Sequence, residues 1–189
     1  MTTLIIGILL WSGLHFIPTL ARGFRKSLQD RFGEKPYAVG FSLGVLLSIL
    51  LMVMGWTSAD QWQLFQPPAW GRPVALVLII IAFILFAMTK SKTNVKRHIR
   101  HPQLTGLVAW AIGHLLTNGD NLSFALFGGL GLWAVIEMFL INRRDGSWVK
   151  PEPTPMSGEV KPVLIGLVVF AVFLFAHPYL FGVSPFPPG

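Results

Sequence analysis

The chain has 189 residues, of which 53% are hydrophobic, and a formal net charge of +7; its mean hydropathy is +0.62. That balance excludes an ordinary water-soluble domain, and the absence of cysteine excludes disulfides, thiolate metal sites and covalent haem attachment through CxxCH. The basic surplus does not point to nucleic acid, because every lysine and arginine except Arg72 falls in alternate loops between apolar runs.

In chain order, six runs are apolar enough to cross a bilayer, at about 3–19, 37–56, 73–89, 102–117, 122–141 and 162–181. The expected fold is an all-α polytopic bundle forming a single domain over 1–189. A membrane β-barrel would show ten-residue alternation instead. Span one contains His15 and is followed by a loop, 19–36, with five cations. Span three, beginning at Pro73, carries no charge at all. The loop 57–72 has Trp62, Phe65 and Trp70 among prolines, as suits the outer interface. The loops 90–101 and 142–161 carry most of the remaining cations, so the positive-inside rule places both termini outside and those loops in the cytoplasm. No cationic region precedes the first apolar run, so a retained span is expected rather than a cleaved signal peptide. The localisation expected is the bacterial inner membrane, with the lipid bilayer as the main partner.

Span four carries the most unusual pattern. Projected at 100° per residue, Gln103, Gly106, Leu107, Trp110, Gly113, His114, Thr117 and Asn118 share one face. Pro102 suits the first helical turn and leaves His101 at the cytoplasmic interface. Span one repeats the theme, with Ile8, Trp11, Ser12, His15 and Thr19 on one side, so Trp11-Ser-Gly-Leu-His15 echoes Trp110-Ala-Ile-Gly-His114. Ionisable residues inside a membrane are costly and are read as functional by default. Neutral imidazoles from two helices suit a metal or a haem, while the plainer alternative is helix–helix hydrogen bonding. Gly106 and Gly113 permit close approach of another helix or of a flat ligand. Along the helices, His15 lies ~16 Å from the outer end of its span and His114 ~6 Å from Asn118, so a tilt is needed for both to reach one macrocycle. His177, nearer the outer surface, is the alternative partner for His114. Glu137, near the cytoplasmic end of span five, is expected to pair with the Arg100/His101 region.

The His15-Phe16 pair with its basic loop, Arg100-His101-Pro102, the Trp110-x-x-x-His114-x-x-x-Asn118-Gly-Asp120 run and Arg143-Arg144-Asp145-Gly146 together resemble the NnrU family of bacterial membrane proteins. That family includes zeta-carotene isomerase of plants and cyanobacteria, and the resemblance covers about 1–181. In the isomerase branch it implies a haem b held by two histidines, matching His15 and His114, and a redox-dependent cis–trans isomerisation of a polyene. The cysteine ligand of that branch has no counterpart, Ala111 occupying that region. In the bacterial members the resemblance implies a link to nitrite and nitric oxide reduction. The leading expectation is therefore an accessory or sensing membrane protein with non-covalent haem b, taking nitric oxide or a small hydrophobic ligand. The alternatives are a polyene isomerase, a scaffold, and a membrane methyltransferase using S-adenosylmethionine at Arg100-His101-Pro102-x-x-x-Gly106.

Overall fold

The structure, a computed structural model, describes residues 1–186, and those residues are organised as helices. We number them α1 (Thr2–Leu20), α2 (Arg22–Phe32), α3 (Glu34–Ser58), α4 (Gly71–Met88), α5 (Pro102–Leu115), α6 (Asn121–Asp145) and α7 (Ser157–Phe181). Five of them, α1, α3, α4, α6 and α7, are long and apolar enough to span a membrane.

The fourth predicted span is the exception. Helix α5 has 14 residues, about 21 Å at 1.5 Å per residue, against a hydrocarbon core of roughly 30 Å. Its register compensates. Gly106 faces Ala82 and Phe86, Gly113 faces Ala75 and Ile79, and Leu116 lies against Gly71, so α5 runs antiparallel along nearly all of α4. The run expected as a basic loop after span one is the short helix α2, with Phe24, Leu28 and Phe32 along one side and Arg22 and Lys26 opposite. None of its residues is buried, as suits a helix lying on a membrane interface.

Small residues set the packing. In the α1–α3 pair a Cβ at Gly7 would strike Met52 and Ser48, and one at Gly55 would strike the Leu4 backbone, so the two helices approach to backbone contact. Helix α6 joins this pair to the α4–α5 pair: Ile8 of α1 touches Gly129, and Ala111 of α5 touches Gly131. Helix α7 packs on α4 through Gly166 against Ile84 and through Phe170 and Phe173 around Phe83. The spatial order is therefore α3–α1–α6–α5–α4–α7, a curved row rather than a closed bundle. Rows such as Leu43, Leu46, Leu47, Leu50 and Val53 on α3 face outward, an arrangement that lipid tails, not water, can solvate.

All the cationic loops gather at one end. Arg100 donates to the Gly146 carbonyl at 2.9 Å, Arg22 lies 3.8 Å from Asp145, and Asn94 Nδ2 donates to the Thr154 carbonyl at 2.7 Å. The other end is braced by tryptophan- and asparagine-bearing loops. The Leu64 and Phe65 amides both donate to the Gly119 carbonyl, Asn121 N–H donates to Trp62 O at 3.0 Å, and Trp62 N–H donates to Asn121 Oδ1 at 2.9 Å.

Candidate functional site

His15 on α1 and His114 on α5 have the same local construction. His15 Nδ1 lies 2.8 Å from the Trp11 carbonyl, and His114 Nδ1 lies 2.9 Å from the Trp110 carbonyl. A carbonyl only accepts, so Nδ1–H donates in both, and the lone pair of each neutral ring sits on Nε2. An imidazole pinned in this way is the usual form of a metal-ligating histidine, its second nitrogen fixing tautomer and orientation. His177 follows the same rule, with Nδ1 2.7 Å from the Val183 carbonyl, but it stands on α7 at the edge of the row.

The surroundings of the pair differ. His15 stacks on Trp11, centroids 4.3 Å apart, and meets Phe41 and Trp133 edge-on at 5.4 and 5.1 Å. Aromatic contacts continue from Phe41 to Tyr37 at 6.4 Å and on to the Arg25 guanidinium at 5.7 Å, linking α2 to this site. One turn further along each helix, Thr19 Oγ1 donates to Glu137 Oε1 at 2.5 Å. That bond corrects the expectation that Glu137 pairs with Arg100 or His101. Arg100 is turned to the Gly146 carbonyl at the end of α6, and His101 Nε2 to Asn142 Oδ1 in its last turns at 2.9 Å. Helix α1, not α5, faces Glu137.

His114 instead lies between Trp110, at 4.7 Å, and Phe127, stacked at 4.3 Å. Phe127 belongs to a π-helical turn, Phe124–Gly128, within α6; such turns widen a helix locally and recur at functional sites. The Asn118 and Thr117 side chains both donate to the His114 carbonyl, at 2.8 and 3.1 Å. Asp120 caps α6, its two oxygens accepting from the Ser123 amide at 2.9 Å and hydroxyl at 2.6 Å. Burial alone would raise the Asp120 carboxyl. The hydrogen bonds from Ser123 and the Gln61 side chain outweigh it and hold the group below its ordinary value. The Asn118-Gly-Asp120 run thus ties the end of α5 to α6 and to the loop after α3.

The residues expected to receive haem b separate into a fitting and an unfitting part. The donor chemistry fits axial ligation. The space does not fit a bis-histidine clamp. Trp11 and Trp110, each one turn before a histidine, both pack on a single apolar cluster of Leu4, Ile8, Met52, Leu122 and Leu130. His15 meets Trp133 and His114 meets Phe127, six residues apart on α6, or about 9 Å along its axis. Gly106 and Gly113 are closed by α4, since a Cβ at either would come to 3.0 and 3.3 Å of the Ala82 and Ala75 carbonyl oxygens. The two clefts, one at each loop end of the helices, are lined by neither histidine. One, of about 600 Å³, is bordered by Gln61, Arg72 and Asp120. The other, of about 480 Å³, is bordered by His98, Arg100, His101 and Trp148.

A match to the NnrU protein family covers residues 3–185, nearly the whole chain. The chain belongs to the NnrU family. No curated protein and no solved structure matches it. Within this NnrU chain, sequence reasoning reaches His15, His114, Trp11 and Trp110 but misses Trp133 as the wall of the His15 site and Thr19 as the partner of Glu137. Phe127 is missed too, and the Gly128-Gly129 pair beside it is the only local mark of the widened turn.

Proposed function

We propose that this NnrU-family protein crosses the bacterial inner membrane six times with both termini outside and serves nitrogen-oxide metabolism in an accessory role. Its working groups are two Nε2-free imidazoles acting at separate sites, not the two sides of one haem. The six-pass reading is supported by α5 running antiparallel along nearly all of α4, and the orientation by the gathering of cationic loops at one end. The metabolic role is supported by family membership. A curved row of helices facing lipid suits a small uncharged molecule such as nitric oxide, which partitions into the bilayer.

The observation that carries the separate-site reading is that each histidine packs on its own aromatic wall of α6, His15 on Trp133 and His114 on Phe127. An absorption spectrum of the detergent-purified protein, expressed with ample haem and taken oxidised and reduced, tests it. The expected result is no six-coordinate haem spectrum that depends on both histidines. A Soret band abolished in His15→Ala and equally in His114→Ala would overturn the reading and restore the bis-histidine haem b. A band lost in only one variant assigns a haem to that histidine alone, in keeping with separate sites.

A further inference from the structure

Several polar atoms around His15 lack partners. Glu137 is 6% exposed, and while Oε1 accepts from Thr19, Oε2 is buried without a hydrogen-bond partner among the described residues. Trp133 is 7% exposed and its Nε1–H is likewise unpaired, as is that of Trp11. His15 Nε2 is free because Nδ1 holds the Trp11 carbonyl. The side chains that carry them adjoin one another along α1 and α6. The Trp11, His15 and Trp133 rings touch pairwise, with centroids 4.3, 5.1 and 5.8 Å apart. Glu137 lies one turn beyond Trp133, Thr19 one turn beyond His15, and the Thr19–Glu137 bond closes the far edge.

Buried polar groups in native proteins are nearly always paired, and most strictly so inside a membrane. The chemistry of this set therefore describes its partner. Two indole N–H groups can only donate, so they cannot ligate a cation. A carboxyl oxygen beside them disfavours an anion. What fits is a single hydroxyl-type oxygen, which accepts with its lone pairs and donates its hydrogen. We infer that the His15–Glu137 pocket binds one such oxygen, with Trp11 and Trp133 donating to it and Glu137 and His15 accepting from it. This rests on the reading that His15 works at its own site. The oxygen has two sources of the same chemistry. Water has two hydrogens and serves both acceptors, whereas the hydroxyl of a lipid-soluble phenol, such as a quinol head, serves one of them and enters from the bilayer.

The test uses protein labelled with 15N at the tryptophan indoles, in bilayers free of quinones, observed by solid-state NMR with polarisation transferred from water. Trp11→Phe and Trp133→Phe assign the two resonances, and the exposed Trp62 and Trp70 report ordinary water contact. Transfer from water to both indoles, with both resonances shifting in Glu137→Gln, establishes water as the source. Absence of that transfer, with both resonances moved by a short-chain hydroquinone, establishes a phenol. Glu137→Gln keeps the shape of the side chain and an oxygen for Thr19, so a shift reads the pocket and not a collapse of the fold. No response of either indole to water or hydroquinone overturns the inference. That result in a protein without a bis-histidine spectrum removes this inference alone. A Soret band requiring both histidines removes the separate-site reading whatever the indoles show.

Discussion

The turn from Trp11 to His15 and the turn from Trp110 to His114 share a backbone conformation, a tautomer and an aromatic neighbour four residues back. Their environments have almost nothing else in common. His15 lies toward the end where the cationic loops gather, among indole N–H groups and a carboxyl oxygen that lack partners. His114 lies toward the other end, in mutual contact with Trp110 and Phe127, its carbonyl bonded by Thr117 and Asn118. A histidine four residues after a tryptophan on a helix thus determines which nitrogen is free. What that nitrogen can do is decided by the helix that packs against it, and α6 presents Trp133 to one histidine and Phe127 to the other.

The largest effects come from removing those two walls. Trp133→Ala and Phe127→Ala each delete a buried aromatic side chain and should cost about 3–5 kcal/mol, seen as a lower melting temperature in detergent. Imidazole NMR signals should separate the two, with Trp133→Ala disturbing His15 and Phe127→Ala disturbing His114. If each variant moved both signals alike, the two sites would be one.

A smaller effect is expected at the His114 end from Asp120→Ala, which removes the cap of α6 and should cost ~1 kcal/mol. The carboxyl is held below its ordinary value in the folded chain. Its contribution is therefore complete above the unfolded value of ~3.9 and is lost as pH falls through the folded one. Asp120→Asn should flatten that acid-side loss of stability without altering the neutral-pH signals of His15. The smallest effect belongs to Lys26→Ala on α2. Its pair with Asp30 is exposed, at 3.0 Å and four residues apart, and pairs of this kind contribute no more than ~0.5 kcal/mol. A melting temperature altered by several degrees would show that α2 is anchored more firmly than its exposure implies.

The long spans are legible in the sequence because a continuous apolar run of about twenty residues has few other solutions in a membrane. Elsewhere the sequence is less explicit. The basic stretch after span one carries a helical apolar stripe of Phe24, Leu28 and Phe32, but three residues among many charges are a weak signal, and the stretch folds as α2. Glu137 shows the opposite difficulty. Its cost inside the membrane is evident from its position, yet its partner cannot be read from helix depth, because Arg100, His101 and Thr19 lie at comparable levels on different helices. The turn of the loop toward Asn142 and Gly146 decides it.

By itself the sequence determined the membrane class, the separation of cationic from tryptophan-rich loops, and the two histidines that each follow a tryptophan by four residues. Each of these follows from composition or from contacts within four residues along a helix. Only the tertiary structure decided that α6 stands between the pairs α1–α3 and α4–α5, that Trp11 and Trp110 pack on one apolar cluster, and that Glu137 meets Thr19. Those outcomes depend on which helix faces which, and that is set by close approach at Gly7, Gly55, Gly106, Gly113 and Gly131. A glycine licenses contact with a neighbouring helix without naming the neighbour.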